Sequence, residues 1–185
     1  IARIIRGTVS IMTKNKHLEL VTEFYDTHPI SERQVLDKLV QDGFDLSPLD
    51  QGILQDYDQD HFGGLVATDT LAHLANVGRS SHVIDVCSGL GGPARYFAHH
   101  YGSRVTGIDL NQSRVDGAIR LTKMVGLEGK VSFHIANALS TALPSAEFDS
   151  LISQEAFCHI PNKPGLLTEC IRVLKPGGLI AFTDI

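Results

Sequence analysis

From residue 82 onward the apolar positions fall into short continuous runs set between stretches of helical period. The runs are His82–Val86, Arg104–Leu110, Lys130–Ala136, Asp149–Ser153 and Leu179–Ile185. Between them Pro93–Tyr101, Ser113–Val125 and Pro164–Leu174 repeat apolar residues every three to four positions, with Gly102 and Gly126 placed as C-terminal caps. Runs rich in Val and Ile, of strand length and separated by helices, predict βαβ units and a parallel sheet covered on both faces. Such crossovers are right-handed, and ligands bind at the carboxyl ends of the strands. Before residue 82 the pattern is helical. Ser31 is a candidate N-cap for a helix carrying Val35, Leu36, Leu39 and Val40, with Gly43 as its stop. Asp45–His61 reads as polar and turn-rich. Gly64–Val77 reads as a helix with Leu65, Val66, Leu71, Leu74 and Ala75 on its apolar side. The expected organisation is an N-terminal helical extension or lid over residues 1–60 and an α/β core over 61–185.

Composition narrows the class. The chain has 185 residues, 43% apolar and 20% charged, the balance of one globular domain with a short extension. Its net charge is −5 and no Lys/Arg cluster stands out, which argues against nucleic acid as a partner. The three cysteines, Cys87, Cys158 and Cys170, are odd in number and lack C-x-x-C spacing. That disfavours a disulfide framework or structural zinc and suits a reducing cytoplasm. No apolar run approaches the roughly 20 residues that span a bilayer. Residues 1–12 are interrupted by Arg3 and Arg6 and lack a small-residue cleavage site, so they do not read as a signal peptide. A first residue that is Ile, and a last residue inside an apolar run, suggest a fragment of a longer protein. His99 and His100 lie on a helical pattern without carboxylate or Cys partners at ligand spacing, so no metal site is expected.

The densest chemistry lies in Val83-Ile84-Asp85-Val86-Cys87-Ser88-Gly89-Leu90-Gly91-Gly92-Pro93-Ala94-Arg95. A buried strand runs into a glycine-rich turn that opens a helix. Gly89 and Gly91 permit a tight turn and close approach of a ligand to the backbone. Pro93 fits the first helical turn, and the helix start offers free N–H groups to a carboxylate. Gly89-x-Gly91-x-x-Ala94 also satisfies the dinucleotide fingerprint, so a nicotinamide-dependent oxidoreductase is a competing reading. Asp85 separates the two. A carboxylate at the strand end repels a pyrophosphate and attracts a ligand bearing an ammonium and a sulfonium. Asp109 ends the next strand, 20 residues after Gly89, where an acid can accept both hydroxyls of an unphosphorylated ribose.

Together these residues resemble the class I S-adenosylmethionine-dependent methyltransferase family. Further segments resemble it in order: Ile135-Ala136-Asn137-Ala138, Leu143-Pro144 with Glu147-Phe148-Asp149, Ser153-Gln154-Glu155-Ala156-Phe157-Cys158-His159-Ile160, and Arg172-Val173-Leu174-Lys175-Pro176-Gly177-Gly178. The resemblance covers about residues 61–185. The glycine turn and the Gln154–His159 run look most like the small-molecule members, such as glycine, sarcosine and dimethylglycine N-methyltransferases. Two positions depart from the family pattern: Cys87 where Gly is frequent, and Asn137 where Asp is usual. An amide there can still hydrogen-bond adenine through its carbonyl.

The resemblance implies a Rossmann-like doubly wound, mostly parallel sheet of order 3-2-1-4-5, lacking the last two strands of the family fold. It implies S-adenosylmethionine as cofactor, held by Asp85, Cys87, Ser88, Gly89 and Gly91, by Asp109 and Leu110, by Asn137 and Ala138, and by Gln154. Methyl transfer is an in-line displacement that needs alignment at about 3–3.5 Å and exclusion of water. A base helps where the acceptor arrives protonated. Glu155 and His159, on the loop after the fourth strand, are the candidates for that role. Tyr25, Tyr57, His61 and Gly64 are candidate lid or substrate residues. The expected partner is a small-molecule acceptor, with nitrogen favoured over oxygen or carbon, and no membrane is involved. The bare edge of the fifth strand suggests a homodimer, or a non-catalytic partner-binding module.

Overall fold

Strand β1 (His82–Val86) is buried along its whole length because its side chains alternate between two covered faces. In the computed structural model, which describes residues 14–27 and 30–184, Val83 points into one hydrophobic cluster while Ile84 and Val86 point into another. The same alternation continues in β2 (Arg104–Asp109), where Val105 and Ile108 face opposite sides, and in β4 (Phe148–Gln154), where Ile152 and Leu151 do. With β3 (Val131–Ile135) and β5 (Leu174–Thr183) they form one five-stranded sheet of order β3-β2-β1-β4-β5. Every neighbouring pair is parallel. The fold and strand order are those expected from the sequence.

Helices cover both faces. On one lie α4 (Gly64–Leu74), α5 (Gly92–Tyr96) and α6 (Gln112–Met124), contributing Leu71, Ala72, Ala94, Val115 and Ala118 to the cluster around Val83. On the other, α7 (Lys163–Val173) contributes Leu166, Cys170 and Val173. The chain crosses from β1 to β2 to β3 on the first face, then returns to β4 beside β1. That reversal between β1 and β4 opens a crevice at the carboxyl ends of the strands.

The N-terminal helices are α1 (Lys14–Asp26), α2 (Glu32–Gln41) and α3 (Gln51–Leu54). Ser31 caps α2 in a full capping box with Gln34. Val35, Leu39, Leu49 and Leu54 share a buried cluster with Leu90 and Leu121, so α2 and α3 pack on the sheet's helical layer. Arg120 of α6 ties to Glu32 across this contact.

Several local expectations need correction. The stretch read as polar and turn-rich contains α3, capped by Asp50, because Leu49 and Leu54 find a buried surface. Val40, Val66 and Leu74 are exposed. In α4 the buried stripe is Thr68, Leu71, Ala72 and Ala75, an i, i+3, i+4, i+7 set that leaves Val66 and Leu74 outside it. The helix expected to run to Tyr101 changes to a wider π-turn over Phe97–Tyr101, which brings the Tyr101 hydroxyl onto Asp69 of α4. Strand β5 begins at Leu174 rather than Leu179, with its register shifted around Lys175–Gly178.

Candidate active site

The crevice holds a cavity of about 610 Å³ walled by the ends of β1, β2 and β4, the turn after β3, and α1. Asp85, Cys87, Ser88 and Gly89 line it from β1 and the turn that follows. Cys87 and Gly89 both take the left-handed conformation, φ 60° and 53°, so the chain reverses tightly beneath the cavity. Gly91 does not line it. A side chain at Gly91 would overlap the Phe133 ring, so packing, not a ligand, requires this glycine. A Cβ at Gly92 would overlap the carbonyl oxygen of Asp58, where residues 57–62 cross the helix start as a strap.

Burial dominates the electrostatics. Asp85 is enclosed, and its carboxyl is pushed up to about 7, first by desolvation and then by Asp109, with Arg95 opposing. Its Oδ2 has no hydrogen-bond partner, and neither has the buried Ser88 Oγ. Asp109 also lies above the usual carboxylate range through burial, countered by backbone N–H groups. Its Oδ2 accepts from Gly89 and its Oδ1 from Asn111, both at 2.9 Å. The carboxylate retains acceptor capacity for a ligand. Leu110, Asn137 and Ala138 line the neighbouring wall. The Asn137 carbonyl already accepts the Leu139 N–H at 2.9 Å, leaving one lone pair for another donor.

The strap is fastened at four points. Asp58 meets Arg95 at 2.8 Å, both side chains fully buried. Arg95 also donates to Leu90 O, Ala118 O and Thr122 Oγ1. Asp60 meets Arg114 at 2.7 Å. Gln59 and His61 join Thr68 of α4 and Gln154 of β4 in one polar network. Finally, the Phe62 N–H donates to Glu155 Oε1 at 2.8 Å.

At the opposite rim, Leu18, Val21 and Tyr25 of α1 close over the cavity. The Tyr25 hydroxyl lies 3.0 Å from His159 Nε2, and the Arg114 guanidinium sits 5.1 Å from the centre of the Tyr25 ring. Burial pushes the Tyr25 hydroxyl up to about 12, with Arg114 opposing. His159 lies on the turn Phe157–His159, which is tied to the end of β5 by Cys158 N–H donating to Asp184 Oδ1 at 2.9 Å. Glu155 lines the cavity beside it at φ 52°, a strained conformation for a non-glycine residue.

The structure therefore brings Tyr25, His61, Gln154, Glu155 and His159 to one cavity with Asp85 and Asp109. It does not bring Tyr57 or Gly64 there. The Tyr57 hydroxyl donates to Asp42 Oδ2 at 2.9 Å and its ring packs on Phe44, because α2 ends close enough to capture it. Gly64 opens α4 outside the lining. Sequence reasoning missed Thr68, Arg95 and Arg114, and with the two arginines the ion pairs that hold Asp58 and Asp60. The readable clue was Arg95, a charge in the first turn of a helix whose neighbours are apolar; such a charge calls for a buried partner.

A doubly wound parallel sheet with acids ending two adjacent strands around a glycine turn defines an α/β protein that binds a nucleoside cofactor at its switch point. Residues 84–182 match the methyltransferase domain family, more than half of the 185-residue chain, and the chain belongs to this class I S-adenosylmethionine-dependent methyltransferase family. It is 38% identical over 114 residues to the sterol 24-C-methyltransferase of Eremothecium gossypii, covering 62% of this chain and 31% of that protein. It is 33% identical over 122 residues to phosphoethanolamine N-methyltransferase 1 of Arabidopsis thaliana, covering 66% of this chain and 24% of that one. The geranyl diphosphate C-methyltransferase of Streptomyces coelicolor A3(2), solved with S-adenosyl-L-homocysteine, shares the fold at a TM-score of 0.69 and 17% identity, over 90% of this chain and 64% of that chain. The chain spans about a third of the length of the first curated relatives. One relative is a C-methyltransferase and another an N-methyltransferase, so kinship leaves the acceptor atom open. The family's cofactor is S-adenosylmethionine, and the orphaned Asp85 and Ser88 oxygens fit its cationic amino-acid end. Among the described residues no helix is long and apolar enough to cross a membrane.

Proposed function

We propose that this chain forms the cofactor-binding and methyl-transfer centre of an enzyme that methylates a small-molecule acceptor, with an amine nitrogen favoured over oxygen or carbon. The observation that carries the reading is the buried, unpartnered Asp85 oxygen beside the glycine turn. A cation completes that site, whereas the pyrophosphate of a nicotinamide dinucleotide is repelled by it. S-adenosylmethionine supplies an electrophilic methyl group on a sulfonium.

The chain's own residues do the rest. Asp85 takes the ammonium, Asp109 the ribose hydroxyls, and Asn137 with Ala138 the adenine edge. Cys87, Ser88, Gly89, Leu110 and Gln154 complete the cradle. Tyr25 and α1 exclude water above the methyl. Tyr25 keeps its proton at neutral pH and can donate it to His159 Nε2 while its oxygen receives a proton from an arriving ammonium. Glu155 offers a negative charge to the same cation. The acidic lining and the net charge of −5 favour a small neutral or cationic acceptor over nucleic acid. The free cysteines suit a reducing cytoplasm.

Isothermal titration tests the cofactor assignment: micromolar binding of S-adenosylhomocysteine with none of NAD is expected, and the reverse would overturn it. Transfer of a labelled methyl group to a panel of amines, alcohols and alkenes then fixes the acceptor. Tyr25→Phe should lower kcat on an amine while leaving S-adenosylhomocysteine affinity nearly unchanged; an unchanged kcat would remove Tyr25 from the proton path.

A further inference from the structure

Arg114 of α6 is the one arginine or lysine among the described residues that line the cavity. The residue is 4% exposed, and its neighbours hold the guanidinium from two sides. Nη1 donates to Asp60 Oδ2 of the strap at 2.7 Å. The Tyr25 ring of α1 lies against the group, 5.1 Å from Cζ to the ring centre. Nη2 is buried and has no hydrogen-bond partner. A charged donor left unpaired in the interior is costlier than a neutral one, so a ligand oxygen that meets it gains more than an ordinary contact.

The unpaired donor belongs to the Asp109 end of the cavity. Nη1 is 3.7 Å from the point where a Cβ would stand on Gly89, and the Gly89 N–H donates to Asp109 Oδ2 at 2.9 Å. The electrostatics agree: Arg114 acts on Asp109, whereas Arg95 acts on Asp85, the acid assigned to the ammonium. A hydroxyl has one proton and two lone pairs. An ionised Asp109 takes the proton and has nothing to give the lone pairs. Arg114 gives protons and accepts none. The two side chains supply the complementary halves of one hydroxyl site. An arginine beside a ribose acid can instead accommodate a 2′-phosphate. Here Asp60 already neutralises Arg114, and Asp109 adds a second acid beside it, so a phosphate is repelled.

We propose that Arg114 is a ribose-binding residue: its unpaired Nη2 donates to the oxygen of a cofactor hydroxyl whose proton goes to Asp109, and the pair selects an intact, unphosphorylated ribose. The proposal rests on the methyltransferase reading of the cavity.

Arg114→Lys keeps a positive charge for Asp60 but lacks the second guanidinium nitrogen, and Asp60→Asn breaks the ion pair but spares Nη2. Titration of each with S-adenosylhomocysteine and with its 2′-deoxy and 3′-deoxy analogues separates ribose recognition from support of the fold. Arg114→Lys should bind S-adenosylhomocysteine about ten- to a hundredfold more weakly than wild type, the scale of a hydrogen bond from a charged donor. On one of the two analogues, the one lacking the hydroxyl that Arg114 meets, Arg114→Lys and wild type should agree within about threefold. Asp60→Asn should keep the wild-type ratio between S-adenosylhomocysteine and that analogue. An equal loss in Arg114→Lys on all the compounds overturns the proposal, since it marks a structural role, and so does an unchanged affinity for S-adenosylhomocysteine. Adenosine 2′-phosphate binding more tightly than adenosine to wild type, but not to Arg114→Lys, also overturns it. If wild type binds no S-adenosylhomocysteine, the cofactor reading falls and the proposal with it; if wild type binds and only the contrast between analogues is missing, Arg114 alone is misassigned.

Discussion

Two segments cover the cavity, and they are held in opposite ways. The strap is anchored by Asp58 and Arg95, an ion pair with both side chains fully buried, and by the network around Thr68. Helix α1 rests on polar contacts nearer the surface. Asp26 accepts from Asn111 Nδ2 at 2.9 Å and from Ser113 Oγ at 3.1 Å, and Tyr25 meets His159. Its Leu20 and Phe24 remain exposed. Breaking one partner of a buried charge pair leaves the other stranded, whereas water readily replaces surface contacts. With α1 in its proposed role as a lid, the strap is the fixed wall and α1 the side through which a ligand would pass.

The largest test of that contrast is Arg95→Met. It strands Asp58 in the interior and should destabilise the protein by about 3–5 kcal/mol in urea unfolding. Replacing Asp58 as well, with Leu, should recover much of the loss. A single mutant within 1 kcal/mol of wild type, on the order of an exposed pair, would erase the difference between wall and door.

Next comes the acid beneath the wall. The Asp85 carboxyl titrates at about 7 in the fold against 3.8 when free, mainly through burial and then Asp109. The folded state thus holds the proton more tightly than the unfolded one. Asp85 should subtract stability as pH rises from about 4 to about 7, by up to about 4 kcal/mol in the ligand-free protein. Asp85→Asn should remove that part of the pH dependence, and S-adenosylhomocysteine should oppose it in wild type by supplying a cation. The same pH profile in Asp85→Asn as in wild type would contradict the burial argument.

The smallest effect is expected at the door. Asp26→Ala should change stability by less than about 1 kcal/mol, yet speed hydrogen exchange in α1 and release of S-adenosylhomocysteine, with the Phe62 amide of the strap unaffected. Equal acceleration in both segments would mean that they open together.

The same contrast separates what could be read in the sequence from what could not. The sheet is legible because β1, β2 and β4 are covered on both faces, which leaves continuous apolar runs. Asp85 and Asp109 are legible because strand ends and glycine turns leave fixed spacings. The fastening of the strap is not, because it lies in partners distant in sequence: nothing local tells Asp58 from Asp56, yet one is buried on Arg95 and the other is exposed. Tyr57, one residue from the strap's anchor, turns toward Asp42 instead of the cavity for the same reason. Thr68 is invisible as chemistry since a threonine in a helix needs no partner beyond its own backbone.

The tight crossing at Gly92 makes one position a steric control on the strap's side of the enclosure. The Asp58 carbonyl rests where a side chain would begin. Adding a methyl there would prise the strap away while every charged fastening stayed chemically intact. Ligand exchange could then be tuned by bulk alone, without altering a single group that touches the reacting atoms.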